Sequence, residues 1–348
     1  MAKAVALCSG GLDSILAILS MLKQGIEVHA LKFITPFDCH TRGEKSEKGG
    51  PASLAEKFGF SLIFCTLEAQ FLDMVKTPRH GYGKNMNPCI DCRILMLREA
   101  NKIMETIGAD FLVTGEVLGQ RPMSQRKDML YHIDKETGLK DLVVRPLSAR
   151  LLRTSIPEAR GILQREMLYG FSGRSRKPQL ALAAEYGLKD YPSPAGGCLL
   201  TDPIYAHRLK DLLVHTPAPS LRDIALLKTG RHFRFSPTCR IVIGRDKSEN
   251  TEIDSLRTAA DFLLRVEGYG SPLALVRGQV SDEALTVAAS LCARYSDAKN
   301  AEEVLVSVFH RDNVSSLRVT PAGNMAFEAY RIEKRKRSLE ISQTELLS

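Results

Sequence analysis

Ser9-Gly10-Gly11-Leu12-Asp13-Ser14 follows the apolar run Ala4-Val5-Ala6-Leu7-Cys8 and leads into a helix-forming stretch, Ile15 to Leu22. A buried strand that enters a glycine-paired turn and then an amphipathic helix aims several backbone N–H groups, backed by the helix N-terminus, at one point. Such a point suits a phosphate. Gly10 and Gly11 let the main chain approach an anion without Cβ clashes, Ser9 and Ser14 add hydroxyl donors, and Asp13 can orient Mg²⁺ or a ligand group. The lysine and the longer glycine interval of a G-x-x-x-x-G-K-[ST] loop are missing, so this is a different phosphate loop.

Outward from this loop the first 180 residues alternate strand-like and helix-like segments. Strands are expected at Glu27–Ile34, Ser61–Leu67, Asp110–Thr114 and Leu142–Arg145, with helices at Ala52–Phe58, Gln70–Val75 and Asp91–Ile107. Polar or irregular loops fill Thr35 to Gly50 and Thr77 to Pro88. Strands separated by helical crossovers call for an α/β fold, a doubly wound parallel sheet whose ligands collect at the carboxyl ends of its strands. SGGxDS directly after the first strand resembles the PP-loop signature of ATP pyrophosphatases. That resemblance implies binding of ATP, adenylation of a substrate oxygen and release of pyrophosphate.

From Pro203 the character changes to a smaller α+β C-terminal region. Leu209–Leu213 and Leu221–Lys228 read as short helices, Arg231–Phe235 and Arg240–Ile243 as strands, and Asn250–Val266 as one helix. An α/β segment follows, containing Leu273–Val276, Asp282–Arg294 and Val304–Phe309. The expected organisation is therefore an ATP-binding catalytic domain at 1–180, a connecting segment carrying Cys198 at 181–202, and an accessory region at 203–348, suited to RNA.

The chain has 348 residues, 44% hydrophobic and 25% charged, enough for two domains with full cores. No apolar run approaches the roughly 20 residues that span a bilayer, and the N-terminus enters a strand directly, so the expected location is the cytoplasm, without a membrane partner. The net charge of +8 favours a polyanionic partner, and the basic residues concentrate at Arg121–Lys127, Arg145–Arg176, Arg231–Lys247 and Arg331–Arg337. Several basic stretches on a chain that carries an ATP loop favour nucleic acid. The eight cysteines are too dispersed for a disulfide framework, which leaves metal, cluster or catalytic use for any close pair.

Such a pair stands in Asn87-Pro88-Cys89-Ile90-Asp91-Cys92, at the start of the long helix. A helix N-terminus favours thiolate, so the Cys89 thiol is expected to have a lowered pKa. The two thiols can share a metal or form a reversible disulfide. A third, Cys198, follows Pro194-Ala-Gly-Gly. Three thiolates fall one short of a closed zinc site; a [4Fe–4S] cluster on Cys89, Cys92 and Cys198 would expose its fourth iron to sulfide. The alternative for Cys198 is a buried structural residue on a glycine turn. Cys8, Cys39, Cys65, Cys239 and Cys292 lie in or near apolar stretches and read as core or incidental.

A further motif, Thr114-Gly-Glu-Val-Leu-Gly-Gln120, continues through Arg121 to Ser124-Gln125 just past the fourth strand. That position puts Gly115, Glu116 and Gln120 beside the glycine loop, and Arg145-Pro146-Leu147 is expected to add a cation to the same rim. The candidate nucleotide-binding set is Ser9, Gly10, Gly11, Asp13, Ser14, Phe33, Gly115 and Gln120; the candidate catalytic set is Cys89, Cys198 and Asp13; the candidate metal set is Cys89, Cys92 and Cys198.

SGGLDS, N-P-C-x-x-C opening a helix, T-G-E-x-L-G-Q followed by S-Q, and R-P-L, in that order, resemble the tRNA 4-thiouridine synthetase family and the related 2-thiouridylases over about residues 1–200. The resemblance implies ATP and Mg²⁺ as cofactors, tRNA as partner, and adenylation of a uridine oxygen followed by sulfur attack. Gly230-Arg-His-Phe-Arg-Phe235 with Ile243-Gly-Arg-Asp-Lys-Ser-Glu-Asn250 looks like the RNA-binding domain of NFACT-type ribosome quality-control factors. Two departures stand out: no room for a THUMP-type domain before the loop, and no rhodanese-like persulfide segment after it. Substrate capture is therefore expected of the basic C-terminal half. The sulfur donor, sulfide or a cysteine desulfurase, is expected to be met by the three cysteines as a cluster or as a persulfide and resolving pair. The rival readings are a PP-loop amidotransferase or small-molecule sulfur-transfer ligase without RNA, and a non-catalytic RNA-binding protein.

Overall fold

A computed structural model describes residues 1–38, 50–188, 198–323 and 328–333. Cys39, the Pro194–Gly197 run and the basic tail beyond Glu333 lie outside the described residues. The chain divides into two compact units, Met1–Thr201 and Asp202–Ser348.

In the first unit the elements are β1 (Lys3–Leu7), α1 (Leu12–Leu22), β2 (Glu27–Ile34), α2 (Pro51–Phe58), β3 (Ser61–Thr66), α3 (Ala69–Lys76), α4 (Cys89–Ile107), β4 (Phe111–Thr114), α5 (Lys127–Glu136), β5 (Val143–Val144), α6 (Ile156–Ala159) and α7 (Lys177–Glu185). The five strands form a parallel sheet in the order β3-β2-β1-β4-β5. β1 is central, and its apolar run is explained by burial on both faces. Alternation along the strand divides it: Ala4 and Ala6 pack with α1 and α7 on one side, while Val5 and Leu7 pack with α4 on the other. Helices on both faces of a parallel sheet make this the doubly wound fold expected from the βα alternation. α7 continues through position 180, with Leu182, Ala183 and Leu188 in the core shared with α1.

The second unit contains α8 (Pro203–His215), α9 (Leu221–Leu226), β6 (Arg231–Ser236), β7 (Cys239–Ile243), α10 (Lys247–Leu256), β8 (Phe262–Val266), β9 (Ala274–Gly278), α11 (Asp282–Arg294), β10 (Val304–His310) and β11 (Asn313–Val319). Its six strands are antiparallel in the order β11-β10-β8-β9-β7-β6. The alanine-rich face of α11 covers one side, against Ile241, Ile243 and Leu264, while Leu226 and Ile253 cover Val242, Leu263 and Leu275 on the other.

The single helix expected over Asn250–Val266 is in fact a helix, a turn and a strand. α10 ends at Leu256, and Thr258 turns the chain by donating both its backbone N–H (2.7 Å) and its hydroxyl (3.0 Å) to Asp261. Arg277 then clamps the same carboxylate, and Phe-Leu-Leu-Arg-Val enters the sheet as β8. A short polar side chain that satisfies backbone donors offers the chain an alternative to continuing a helix. Among the described residues no helix is long and apolar enough to cross a membrane.

Candidate nucleotide and thiol site

Strand order reverses between β1 and β4: β2 and β3 build outward from one, β5 from the other. Ligands bind outside the carboxyl ends of parallel strands at such a switch point. Leu7 pairs with Thr114 in the last register step, so the Ser9–Ser14 loop and the Gly115 loop leave the sheet side by side. The approach is close. A Cβ on Gly115 would stand 2.5 Å from the Ser14 nitrogen and 2.6 Å from the Asp13 carbonyl, so only glycine fits.

Within the loop, Gly10 takes φ +81°, and a Cβ there would lie 3.1 Å from Pro51, the first residue of α2. The Ser14 hydroxyl donates to the Gly11 carbonyl (2.8 Å) and lies 3.3 Å from the Ser9 hydroxyl. Gln120 reaches back to donate its amide to Asp13 Oδ2 at 3.0 Å, joining two motifs 107 residues apart. The other carboxylate oxygen, Asp13 Oδ1, is buried with no hydrogen-bond partner among the described residues. A buried carboxylate oxygen with no donor is costly unless a cation completes it, so the donor set suits Mg²⁺. Phe33, at the carboxyl end of β2, packs against the core on the α4 side of the sheet.

Two expected rim residues turn inward instead. The Glu116 carboxylate is buried against Arg93 (3.1 Å), Arg145 (3.0 Å) and the Thr114 hydroxyl (3.0 Å). Arg145, 3% exposed, also binds Asp134 through two bonds of 2.8 and 2.7 Å. Burial pushes the Glu116 carboxyl up, but the Arg93 and Arg145 guanidiniums outweigh it, and its pKa lies below the ordinary value. Arg145 is thus the centre of a closed ion cluster that fixes α4, β4 and α5 together, not a cation offered to a ligand. The sequence hid this because an arginine at a strand end looks the same whether it faces water or two carboxylates.

The thiols assemble beside that cluster. α4 runs back to the start of β4, so its N-terminus with Cys89 stands at the carboxyl edge of the sheet, and Arg93 ties this turn to Glu116. Residues 198–201 dock onto the loop before α4: Leu200 accepts from the Met86 backbone N–H (3.1 Å), and the Thr201 carbonyl accepts from the Asn85 amide (2.7 Å). Burial, then the Cys198 and Cys89 thiols and Asp38, pushes the Cys92 thiol up to about 12 against the pull of Arg93.

The expected lowering at Cys89 is reversed. Its thiol donates to Asn87 Oδ1 at 3.0 Å, and its pKa is raised, because burial outweighs the guanidiniums of Arg121 and Arg93. Arg121 directly follows Gln120, so neighbouring residues supply the amide that binds Asp13 and a charge that works against the burial of Cys89. Three soft donors suit iron or zinc in kind, yet among the described residues no set of three or more His, Cys, Asp or Glu side chains has metal-binding spacing.

Gly115→Ala is expected to destabilise the fold by about 1–3 kcal/mol, the usual cost of forcing extra carbon into a packed contact, because the methyl overlaps the Asp13–Ser14 backbone. Thermal melting measures it; an unchanged melting temperature would mean the loops need not touch.

Residues 1–156 match the family model described as Thiamine biosynthesis protein (ThiI), and residues 230–331 match that of the NFACT protein RNA binding domain. A probable tRNA sulfurtransferase of Thermococcus kodakarensis is 28% identical over 145 residues, 42% of this chain and 36% of that protein. One from Lysinibacillus sphaericus is 33% identical over 149 residues, 42% of this chain and 34% of that protein. The chain spans about a third of the length of these curated relatives. A crystal structure of a 4-thiouridine synthetase–RNA complex with bound ATP aligns at 25% identity and a TM-score of 0.34, over 55% of this chain and 54% of that one. Both resemblances drawn from the sequence coincide with these matches.

Proposed function

We propose that the chain is an ATP-dependent tRNA sulfurtransferase that replaces a uridine carbonyl oxygen with sulfur. One observation carries this reading: the loop after β4 joins the phosphate loop to the thiol-bearing turn of α4, since Gln120 binds Asp13 and Glu116 binds Arg93, the residue after Cys92. A phosphate-type loop linked to a helix turn that bears two thiols suits a reaction that needs activation and then sulfur. The family-model matches and the names of the relatives support the same reading.

The loop N–H groups with Ser9 and Ser14 hold the ATP phosphates, and Asp13 holds Mg²⁺, which when bound neutralises charge on the departing pyrophosphate. The uridine oxygen attacks the α-phosphorus, pyrophosphate leaves, and the former carbonyl carbon carries AMP as a leaving group. A sulfur nucleophile adds there and AMP departs with the original oxygen. Positioning and charge neutralisation supply most of the acceleration. Extruding the base costs a few kcal/mol in a duplex and less at a bend.

Cys89, Cys92 and Cys198 would hold a [4Fe–4S] cluster after drawing together from the spacing described, and the cluster when bound would supply an iron without a protein ligand for sulfide. Burial raises the Cys89 thiol and pushes the Cys92 thiol up to about 12, so either must lose its proton to an incoming group, a metal among them, before it acts as a thiolate. The second unit, which matches the NFACT RNA-binding model over residues 230–331, captures the RNA.

The test is anaerobic incubation with ATP, Mg²⁺, sulfide and unmodified tRNA. AMP, pyrophosphate and thiolated uridine should form in equal amounts. AMP formation that ignores tRNA would move the protein to a small-molecule reaction. An absorption spectrum with iron and sulfide counts on the same preparation separates cluster, zinc and persulfide.

A further inference from the structure

Helix α7 carries a polar group that its core does not use. Gln179 is 0% exposed, and among the described residues neither its amide oxygen nor its nitrogen has a hydrogen-bond partner. The Nε of Arg176, the residue capping α7, is buried and unpartnered in the same way. Buried polar groups are nearly always paired, so two orphans within one turn mark a place where a partner is missing.

The packing shows where that place is. Past the end of α1, Lys23 pairs with Glu185 at 3.1 Å and lies 5.6 Å over the Tyr186 ring, so the carboxyl ends of α1 and α7 meet. At the other end, the Gly173 N–H donates to the Leu118 carbonyl (2.7 Å), two residues before the Gln120 that binds Asp13. The helices therefore run side by side in the same direction. Arg176 precedes Glu185 by nine residues and Ser14 precedes Lys23 by nine, which sets the first turns of the two helices level. Gln179 shares a helical stripe with Leu182 and Ala183, which pack in the core with α1, so it faces the α1 seam at its N-terminal end.

We propose that Arg176 to Gln179 form a second phosphate-binding element opposite the SGGLDS loop. The Arg176 and Lys177 charges attract the anion, and the Gln179 amide orders its oxygens. The ligand is a phosphate group, from ATP or from the RNA backbone. The inference rests on the nucleotide reading of the loop only for the first of these sources.

The experiment uses the full chain with Gln179→Met and, separately, Arg176→Ala. Calorimetric titrations employ Mg·ATP, inorganic pyrophosphate and an unmodified tRNA transcript, the last over a range of salt. Gln179→Met should melt at or above the wild-type temperature, because an unpaired amide is replaced by an apolar chain of similar size, and both variants should lose at least tenfold in affinity. Loss with ATP and pyrophosphate assigns the element to the nucleotide. Loss with tRNA alone, with the Arg176→Ala salt slope reduced by about one, assigns it to a phosphodiester. Unchanged affinity in all three titrations overturns the proposal, and so does a Gln179→Met protein that melts well below wild type, since its amide would then be paired within the fold. A wild-type chain that binds no ATP removes the nucleotide reading and leaves the tRNA titration to decide this one.

Discussion

Cys198→Ala is expected to abolish thiolation of tRNA while ATP affinity stays within about twofold of wild type. The reason for the split is where the residue is anchored. Its segment is held by backbone bonds, from Leu199 to the Phe37 carbonyl, from Met86 to Leu200, and from Thr201 back to Cys198, none of which involves the cysteine side chain or the Ser9–Ser14 loop. An alanine therefore keeps the segment in place and removes only sulfur. A second readout is independent of activity. Burial comes first in raising the Cys92 thiol to about 12, but the Cys198 thiol adds to it, so its removal must lower the Cys92 pKa. Alkylation of Cys92 as a function of pH should shift to lower pH in the variant. Normal thiolation by Cys198→Ala would sink the three-thiol reading, and an unmoved Cys92 titration would place the two sulfurs out of each other's reach.

The two motifs that carry this expectation were legible because each is local. SGGLDS needs only its own glycines and the strand before it, and a proline followed by C-x-x-C opens α4 wherever that helix packs. A doubly wound parallel sheet also followed from the alternation of strands and helices, but the reversal of strand order at β1 did not, since chain order does not say on which side of β1 the strand after α4 inserts. What stayed hidden depends on partners distant in sequence. Arg145 reads as a rim cation until Glu116 and Asp134 are seen beside it, and the helix terminus lowers the Cys89 pKa only where water is not excluded. The helix α5 went unread because its buried face is just Leu130, Ile133 and Asp134 in an otherwise polar stretch. Asn250–Val266 looked continuous because nothing in its composition announces that Asp261 serves Thr258 and Arg277. Gln179 gave no signal at all, since a glutamine in a helix is ordinary until its burial is known.

Asp13→Asn is expected to slow pyrophosphate release about 10²–10³-fold, the loss typical when one preorganised charge or donor is removed from a transition state. The substitution is chosen because it leaves the shape alone. An asparagine oxygen still accepts from the Gln120 amide, so the link between the phosphate loop and the loop after β4 survives. What changes is the other carboxylate oxygen, which is buried and among the described residues accepts no hydrogen bond, leaving it open to a cation. Two effects should then move in opposite directions. Without ligand, the variant should melt at or above the wild-type temperature, since a buried charge has been removed. With ATP, the gain in affinity on adding Mg²⁺ should shrink toward none, since the metal has lost its anionic ligand. A structural aspartate would give the reverse: a lower melting temperature with Mg²⁺ dependence intact. The comparison of melting with and without Mg·ATP therefore decides whether Asp13 serves the fold or the phosphate.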